Sequence, residues 1–161
     1  MSHWGLWDSG GRWLAVAGAE TPPEVGARFF QVAFAAEVAR VGSVRCAVRE
    51  QLGVWGLASF ADVAVLAAGE LMANAIQHGC GGGDGTVTVS AWCTADELLI
   101  EVGDPSSVQP RRRCAGERDE SGRGLELVAA VVDRWGSELA PGRRGKRVWI
   151  AIRTAPKEEG V

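Results

Sequence analysis

The fold of this protein is decided by the stretch Glu70-Leu71-Met72-Ala73-Asn74-Ala75-Ile76-Gln77-His78-Gly79. Glu70, Asn74 and His78 stand four residues apart, so on a helix they form one polar stripe. The remaining positions are nearly all apolar, which predicts that the opposite side of the helix packs on a sheet. A carboxylate and an amide oxygen one turn apart suit Mg²⁺, which takes one or two protein oxygens together with substrate phosphates. The alternative is a solvated polar stripe without a ligand.

The residues before this stretch predict a strand and a first helix. The helix that contains the stretch is predicted over residues 60–78, with Gly79 as its C-terminal stop. Apolar side chains over residues 38–52 recur near helical spacing and predict an amphipathic helix that ends near Gly53. From Arg28 onward, Phe30, Val32 and Phe34 alternate with Phe29, Gln31 and Ala33, which predicts a strand at the start of the folded region.

The residues after it predict hairpins, a loop and one more helix. Strands are expected over 86–93 and 98–103, followed by a polar loop over 105–121 and a helix over 121–132. This order predicts an α+β fold, a two-layer sandwich whose mixed, mainly antiparallel sheet carries helices on one face. The closing hairpin is expected from strands at 135–139 and 147–152.

Length and composition predict one globular domain. The chain has 161 residues, of which 47% are apolar and 23% are charged. We assign residues 28–153 to the domain, 1–27 to an irregular tail rich in Trp and Gly, and 154–161 to a C-terminal tail. The net charge of −3 argues against direct nucleic-acid binding, and the lack of a run of 18 apolar residues argues against a membrane span. The cysteines lack metal-ligand spacing and no secretory signal is evident, so reduced thiols and a cytoplasmic location are expected.

A second candidate site residue is Asp104, which follows the apolar strand and precedes Pro105. A carboxylate at this position can accept a hydrogen bond from the exocyclic amine of adenine, because the adenine edge presents an N6 donor. The alternative is that Asp104 only starts an Asp-Pro turn, which is a common role for this dipeptide.

The third candidate is the glycine-rich sequence Ser121-Gly122-Arg123-Gly124-Leu125, which precedes an apolar helical run. Glycines at the start of a helix let the backbone approach a phosphate, and the free N–H groups and the helix dipole favour the anion. The alternative is a mobile loop that merely enters a helix.

Taken in this order, the three motifs resemble those of the GHKL ATPases, the family of gyrase, chaperone, mismatch-repair and histidine-kinase ATP domains. The stretch from Glu70 to Gly79 is similar to their N box, Asp104 to the acid of their first glycine box, and residues 122–128 to their second glycine box. The likeness extends over roughly residues 30–153. The fold implied is that of a histidine-kinase-like ATP-binding domain, with the loop 105–121 as its lid.

Within that family the chain resembles the anti-sigma-factor serine kinases of bacterial partner switching. Its short length, the pair Trp135-Gly136 and the closing sequence Gly145-Lys146-Arg147-Val148-Trp149 carry this finer resemblance. It implies a regulator that binds a sigma factor and phosphorylates a serine of an anti-anti-sigma (STAS-type) partner. Such relatives pair, so the resemblance also allows a homodimer, and no nucleic acid or membrane is expected to bind directly.

The resemblance also assigns roles to the candidate residues. Glu70 would be the general base that orients the partner's serine, and Asn74 would coordinate Mg²⁺ held by the ATP phosphates. Asp104 would accept from the adenine amine. Lys146 is expected either to contact a phosphate or to be a solvated hairpin lysine. The residues expected to bind the cofactor at the second glycine box are Gly122, Arg123, Gly124 and Leu125.

Two departures from the family pattern bear on catalysis. The first glycine box reads Asp104-Pro105-Ser106-Ser107, so both of its later glycines are missing. Glu120 stands where the kinases carry an arginine that can meet the γ-phosphate, for which Arg123 or one of the residues 111–113 would have to substitute. The primary prediction is therefore an ATP-dependent protein serine/threonine kinase. The alternative is a non-catalytic ATP-binding anti-sigma module whose nucleotide state sets partner affinity.

Overall fold

The computed structural model of the protein describes residues 28–81, 85–106, 120–139 and 145–156, together with two short strands nearer the N-terminus. These strands, β1 (Leu6–Trp7) and β2 (Trp13–Leu14), pair antiparallel inside the segment 1–27 for which the sequence predicts no regular structure. Residues 157–161 of the C-terminal tail and most of the expected lid, residues 107–119, lie outside the described residues.

A five-stranded sheet forms one layer of the domain. Its order is β3-β4-β5-β7-β6, and every neighbouring pair is antiparallel. The predicted α+β class is confirmed, and the sheet described is antiparallel throughout. The strands are β3 (Arg28–Ala35), β4 (Thr86–Cys93), β5 (Glu97–Asp104), β6 (Arg134–Leu139) and β7 (Lys146–Arg153).

Three helices form the second layer. They are α1 (Val38–Val54), α2 (Ala61–Asn74) and α3 (Glu120–Val131). Helix α2 contacts both other helices and strands β5 and β7, so it is the central helix of this layer. The core lies between the layers, because alternate strand residues turn their side chains toward the helices. Its fully buried members include Val87, Val89, Ile100, Val102, Ile150, Leu52, Leu71 and Met72.

Helix α2 is continued at both ends by other helical turns. A 3₁₀ turn (Ala58–Phe60) precedes it and a π turn (Ala75–Gly79) follows it. The whole stretch has a mean hydropathy of 1.4 over its most apolar window and is long enough to cross a membrane, but half of that window is buried inside the fold. The stretch packs between α1, α3 and the sheet, so its high hydropathy is that of a helix in the protein core. The π turn matters for the site, because such turns are frequent where a helix carries functional side chains.

The sheet face that points away from the helices holds a buried carboxylate, Glu101. It lies between Ile100 and Val102, which face the core, so its own side chain points to the other face. Glu101 is 8% exposed, and its Oε1 lies 3.6 Å from Nε of Arg147. Burial raises the pKa of Glu101 to about 7; Arg147 opposes this shift and Glu138 adds to it.

We therefore expect Glu101 to lower the stability of the protein as the pH rises from about 4.5 to about 7. In this window the folded protein holds a proton on Glu101 that the unfolded chain releases, so raising the pH favours unfolding. The unfolding free energy of wild type relative to Glu101→Gln should decline by at most about 3 kcal/mol across the window. Chemical denaturation of both proteins at several pH values measures this difference. A difference that stays constant would contradict the prediction.

Candidate functional site

The end of the central helix lies directly against the end of strand β5. A Cβ built on Gly79 would lie 2.7 Å from Cβ of Asp104 and closer still to its carboxyl carbon. Real Cβ atoms do not approach other atoms so closely, so only glycine fits at this position. Two of the three motifs singled out in the sequence, separated by a hairpin strand, are therefore brought together here.

The other end of the same motif lies against α3. A Cβ built on Gly124 would lie 2.6 Å from Oε2 of Glu70, so this glycine leaves the space that the carboxylate occupies. Glu70 is half-buried and Gly124 is buried. The glycine-rich start of α3 thus meets the α2 motif at Glu70, whereas Asp104 at the end of β5 meets the same motif at Gly79. The two meeting points are separated by roughly 14 Å along the helix at 1.5 Å per residue.

The carboxylate of Asp104 is held by two neighbouring groups, the backbone of Ser106 and the side chain of Lys146. Its Oδ1 accepts from the backbone N–H of Ser106 at 2.8 Å, which is the Asp turn offered as the alternative role of this residue. The ammonium of Lys146 lies 3.2 Å from Oδ1 and 3.1 Å from Oδ2. The side chain of Asp104 is only 1% exposed and that of Lys146 only 6%. The expectation of a solvated hairpin lysine at Lys146 is therefore wrong.

Lys146 reaches Asp104 because strands β5 and β7 pair in a register that sets the two residues opposite each other. Gly145 precedes it with φ of +137°, a conformation that side-chain-bearing residues rarely adopt. A Cβ there would lie 2.7 Å from the backbone oxygen of Asp104. The sequence shows the pair Gly145-Lys146 but does not predict that Lys146 contacts Asp104, because nothing in the sequence specifies which strand β7 joins.

Cys80 directly follows the π turn that ends at Gly79. Its thiol is buried, and a Cβ on Gly85 would lie 2.8 Å from its Sγ. Burial raises the pKa of Cys80; the charge of Asp104 raises it further and that of Lys146 lowers it. This thiol is therefore protonated near pH 7. Within the described ranges, no three His, Cys, Asp or Glu side chains cluster as a metal site.

The remaining candidates lie around these contacts. Asn74 is the half-buried last residue of α2, one turn beyond Glu70 on the same stripe. Helix α3 begins at Glu120, earlier than predicted, so Gly122 lies in its first turn, where N–H groups lack intrahelical partners. Gly124 lies in the second turn, and its visible contribution is the space left for Glu70. Arg123 is exposed, and Leu125 is buried in the core, where it anchors α3.

The fold and these contacts define a class of protein: an α+β sandwich in which one helix joins a strand-end carboxylate to a glycine-rich helix start. The model of the histidine kinase-like ATPase domain matches residues 34–152, well over half of the chain. The protein therefore belongs to the histidine kinase-like ATPase domain family, which supports the GHKL resemblance and implies ATP binding. A search among curated proteins found no match.

Proposed function

We propose that this protein is an ATP-binding regulator that binds a sigma factor in the cytoplasm and phosphorylates a serine of an anti-anti-sigma partner. The observation that carries the proposal is the convergence of three motifs on one helix, with Asp104 at Gly79 and Gly124 at Glu70. The separation of these two contacts suits the two ends of an extended nucleoside triphosphate. The adenine ring would lie at Asp104 and the γ-phosphate near Glu70.

The residues present fit a magnesium nucleotide. Asn74 offers an amide oxygen between the two meeting points, and Mg²⁺ needs only one or two protein oxygens when phosphates supply others. The ion would neutralise phosphate charge during transfer. Gly122 would present a free N–H group at the start of α3, where the helix dipole favours an anion.

In this proposal Glu70 acts as the general base. Its carboxylate would accept the proton of the partner's serine hydroxyl as that oxygen bonds to the γ-phosphorus and ADP leaves. Phosphoryl transfer depends mainly on positioning and charge stabilisation. Because Gly124 has no side chain, the Glu70 carboxylate has the space to lie beside the start of α3.

The second candidate function is a non-catalytic ATP-binding switch. It is favoured by Glu120 at the position where the kinases carry an arginine, because a carboxylate there repels a triphosphate. In this case the nucleotide would set the affinity for the partner proteins without phosphate transfer.

Calorimetric titration of ATP, ADP and GTP with Mg²⁺ into the wild-type protein and Asp104→Asn tests the nucleotide site. Wild type should prefer adenine nucleotides, and Asp104→Asn should weaken ATP binding by roughly 10-fold or more, the worth of a hydrogen bond to a charged group. Asp62→Asn, at a position 91% exposed, is the matched control and should bind like wild type. Absence of ATP binding by wild type at millimolar concentration would contradict the proposal.

Labelled ATP then separates the two candidate functions. Transfer of the γ-phosphate to a purified anti-anti-sigma protein supports the kinase. ATP binding without any transfer supports the switch module.

A further inference from the structure

The sheet face that points away from the helices, here called the outer face, is buried although the three helices pack on the opposite side. Trp92 is 6% exposed and Ala151 is fully buried, yet neither belongs to the core between the sheet and the helices. Both alternate along their strands with residues of that core, so their side chains point to the outer face. Part of this chain therefore lies over the outer face and keeps water away from it. The residues of this face include Phe29, Trp92, Leu99, Glu101, Trp149 and Ala151.

Three buried polar atoms of this face have no hydrogen-bond partner among the described residues. They are Oε2 of Glu101, Nη1 of Arg147 and Nε1 of Trp149. Glu101 and Trp149 lie directly opposite each other on β5 and β7, and Arg147 lies two residues before Trp149 on the same face. On an open sheet water would satisfy these atoms, whereas their burial is costly unless the covering layer offers polar groups. The cover therefore has to combine apolar side chains with hydrogen-bonding groups.

One long segment of the chain is placed to reach the outer face. Residues 82–84 and 140–144 are short connections to the ends of strands, and residues 107–119 lead from β5 to helix α3 on the other side of the sheet. Residues 1–27, by contrast, lead directly into β3, the strand at the edge of the sheet. Their sequence includes Trp4, Trp7 and Trp13 and the acidic residues Asp8, Glu20 and Glu24.

This N-terminal segment also contains an element that needs a surface to pack on. Strands β1 and β2 have two residues each and form a small sheet of their own. A two-stranded hairpin is marginally stable in water unless it packs against another part of the protein. The chain between Leu14 and Arg28 can span up to roughly 46 Å, which exceeds the width of roughly 19 Å across a five-stranded sheet. The hairpin can therefore reach every strand of the outer face.

We propose that the N-terminal segment, residues 1–27, packs on the outer face and forms a third layer of the domain. Its tryptophans supply apolar surface to cover Trp92 and Ala151, and its carboxylates can accept from the buried nitrogens of Arg147 and Trp149. The segment is then a part of the folded domain and not a free tail. This inference is independent of nucleotide binding.

Thiol labelling of the full-length protein tests this packing. Ala151→Cys introduces a thiol on the outer face, and the native Cys46, which is exposed, measures access of the reagent in the same sample. Labelling with N-ethylmaleimide is followed at each cysteine by peptide mass spectrometry. The introduced thiol should react at least roughly 10-fold more slowly than Cys46, because it becomes accessible only when the segment opens.

The same protein carrying Trp7→Ser and Trp13→Ser should lose this protection. Removing two large apolar side chains weakens the packing, so labelling at position 151 should accelerate by roughly 10-fold or more. The labelling rate of Cys46 should not change, and the buried Cys80 should stay protected, which shows that the domain is still folded. Val38→Ser, at a position 75% exposed on α1, is the matched control and should leave position 151 protected.

Three results overturn the inference. The introduced thiol reacts as fast as Cys46 before any tryptophan is replaced, or its slow reaction persists in the double tryptophan variant. The third is protection that disappears on dilution while sedimentation shows a dimer dissociating, because a second copy would then be the cover. Leu99→Cys, at the position that pairs with Ala151, replaces the first reporter if that variant does not fold, and the single tryptophan variants likewise replace the double one.

Discussion

Replacing Glu70 with alanine is expected to reduce phosphate transfer to the anti-anti-sigma partner by 100-fold or more while ATP still binds. A positioned general base contributes on the order of 10²–10⁴ in rate. The other carboxylate of α2, Asp62, lies two turns before Glu70 and pairs with Arg49, so it does not replace Glu70. Transfer is followed with γ-labelled ATP, and binding with calorimetry. Glu50→Ala, at an exposed position of α1, is the matched control and should transfer like wild type.

Gly124→Ala provides an independent version of the same experiment. The added methyl group would occupy the space of the Glu70 carboxylate, which sits at the far end of a flexible side chain and can swing away. Transfer should therefore fall, although Glu70 is still present and alanine is the better helix former by up to about 1 kcal/mol. Unchanged transfer in both Glu70→Ala and Gly124→Ala would remove Glu70 from the role of base.

Replacing Gly79 with alanine is expected to disrupt both the fold and the nucleotide site. The methyl group would meet Asp104, whose carboxylate cannot move freely because Ser106 and Lys146 hold it. Overpacking of this kind costs about 1–3 kcal/mol or more in stability. Displacing the carboxylate should also lower ATP affinity by roughly 10- to 100-fold, since a hydrogen bond to a charged group is lost.

The unfolding free energy and the ATP affinity of Gly79→Ala are measured by denaturation and calorimetry. Gly42→Ala, in helix α1, is the control because a Cβ at Gly42 meets nothing within 4 Å. This variant should keep wild-type affinity. Wild-type stability and affinity in Gly79→Ala would show that Asp104 has more freedom than its contacts imply.

Local patterns predicted most of the elements with nearly correct bounds. The strand over 86–93 has the bounds expected from its alternation, and the first helix ends one residue beyond Gly53. The second helix was expected to be regular up to His78, whereas its last turn from Ala75 is a π turn. Such a turn depends on what the helix end packs against, here Asp104 at Gly79, and hydrophobic spacing does not encode that contact.

The sequence by itself determined the family, through the resemblance of its three motifs, and it also determined the candidate residues. Glu70 and Asn74 depend only on helical spacing, and Asp104 and Gly124 on their positions at strand and helix ends. Tertiary structure alone decided which of them meet. Lys146 pairs with Asp104 across 42 residues because β7 enters the sheet beside β5 in one particular register. Strand order and register arise from packing of the whole sheet on the helices, so local sequence carries no signal for them.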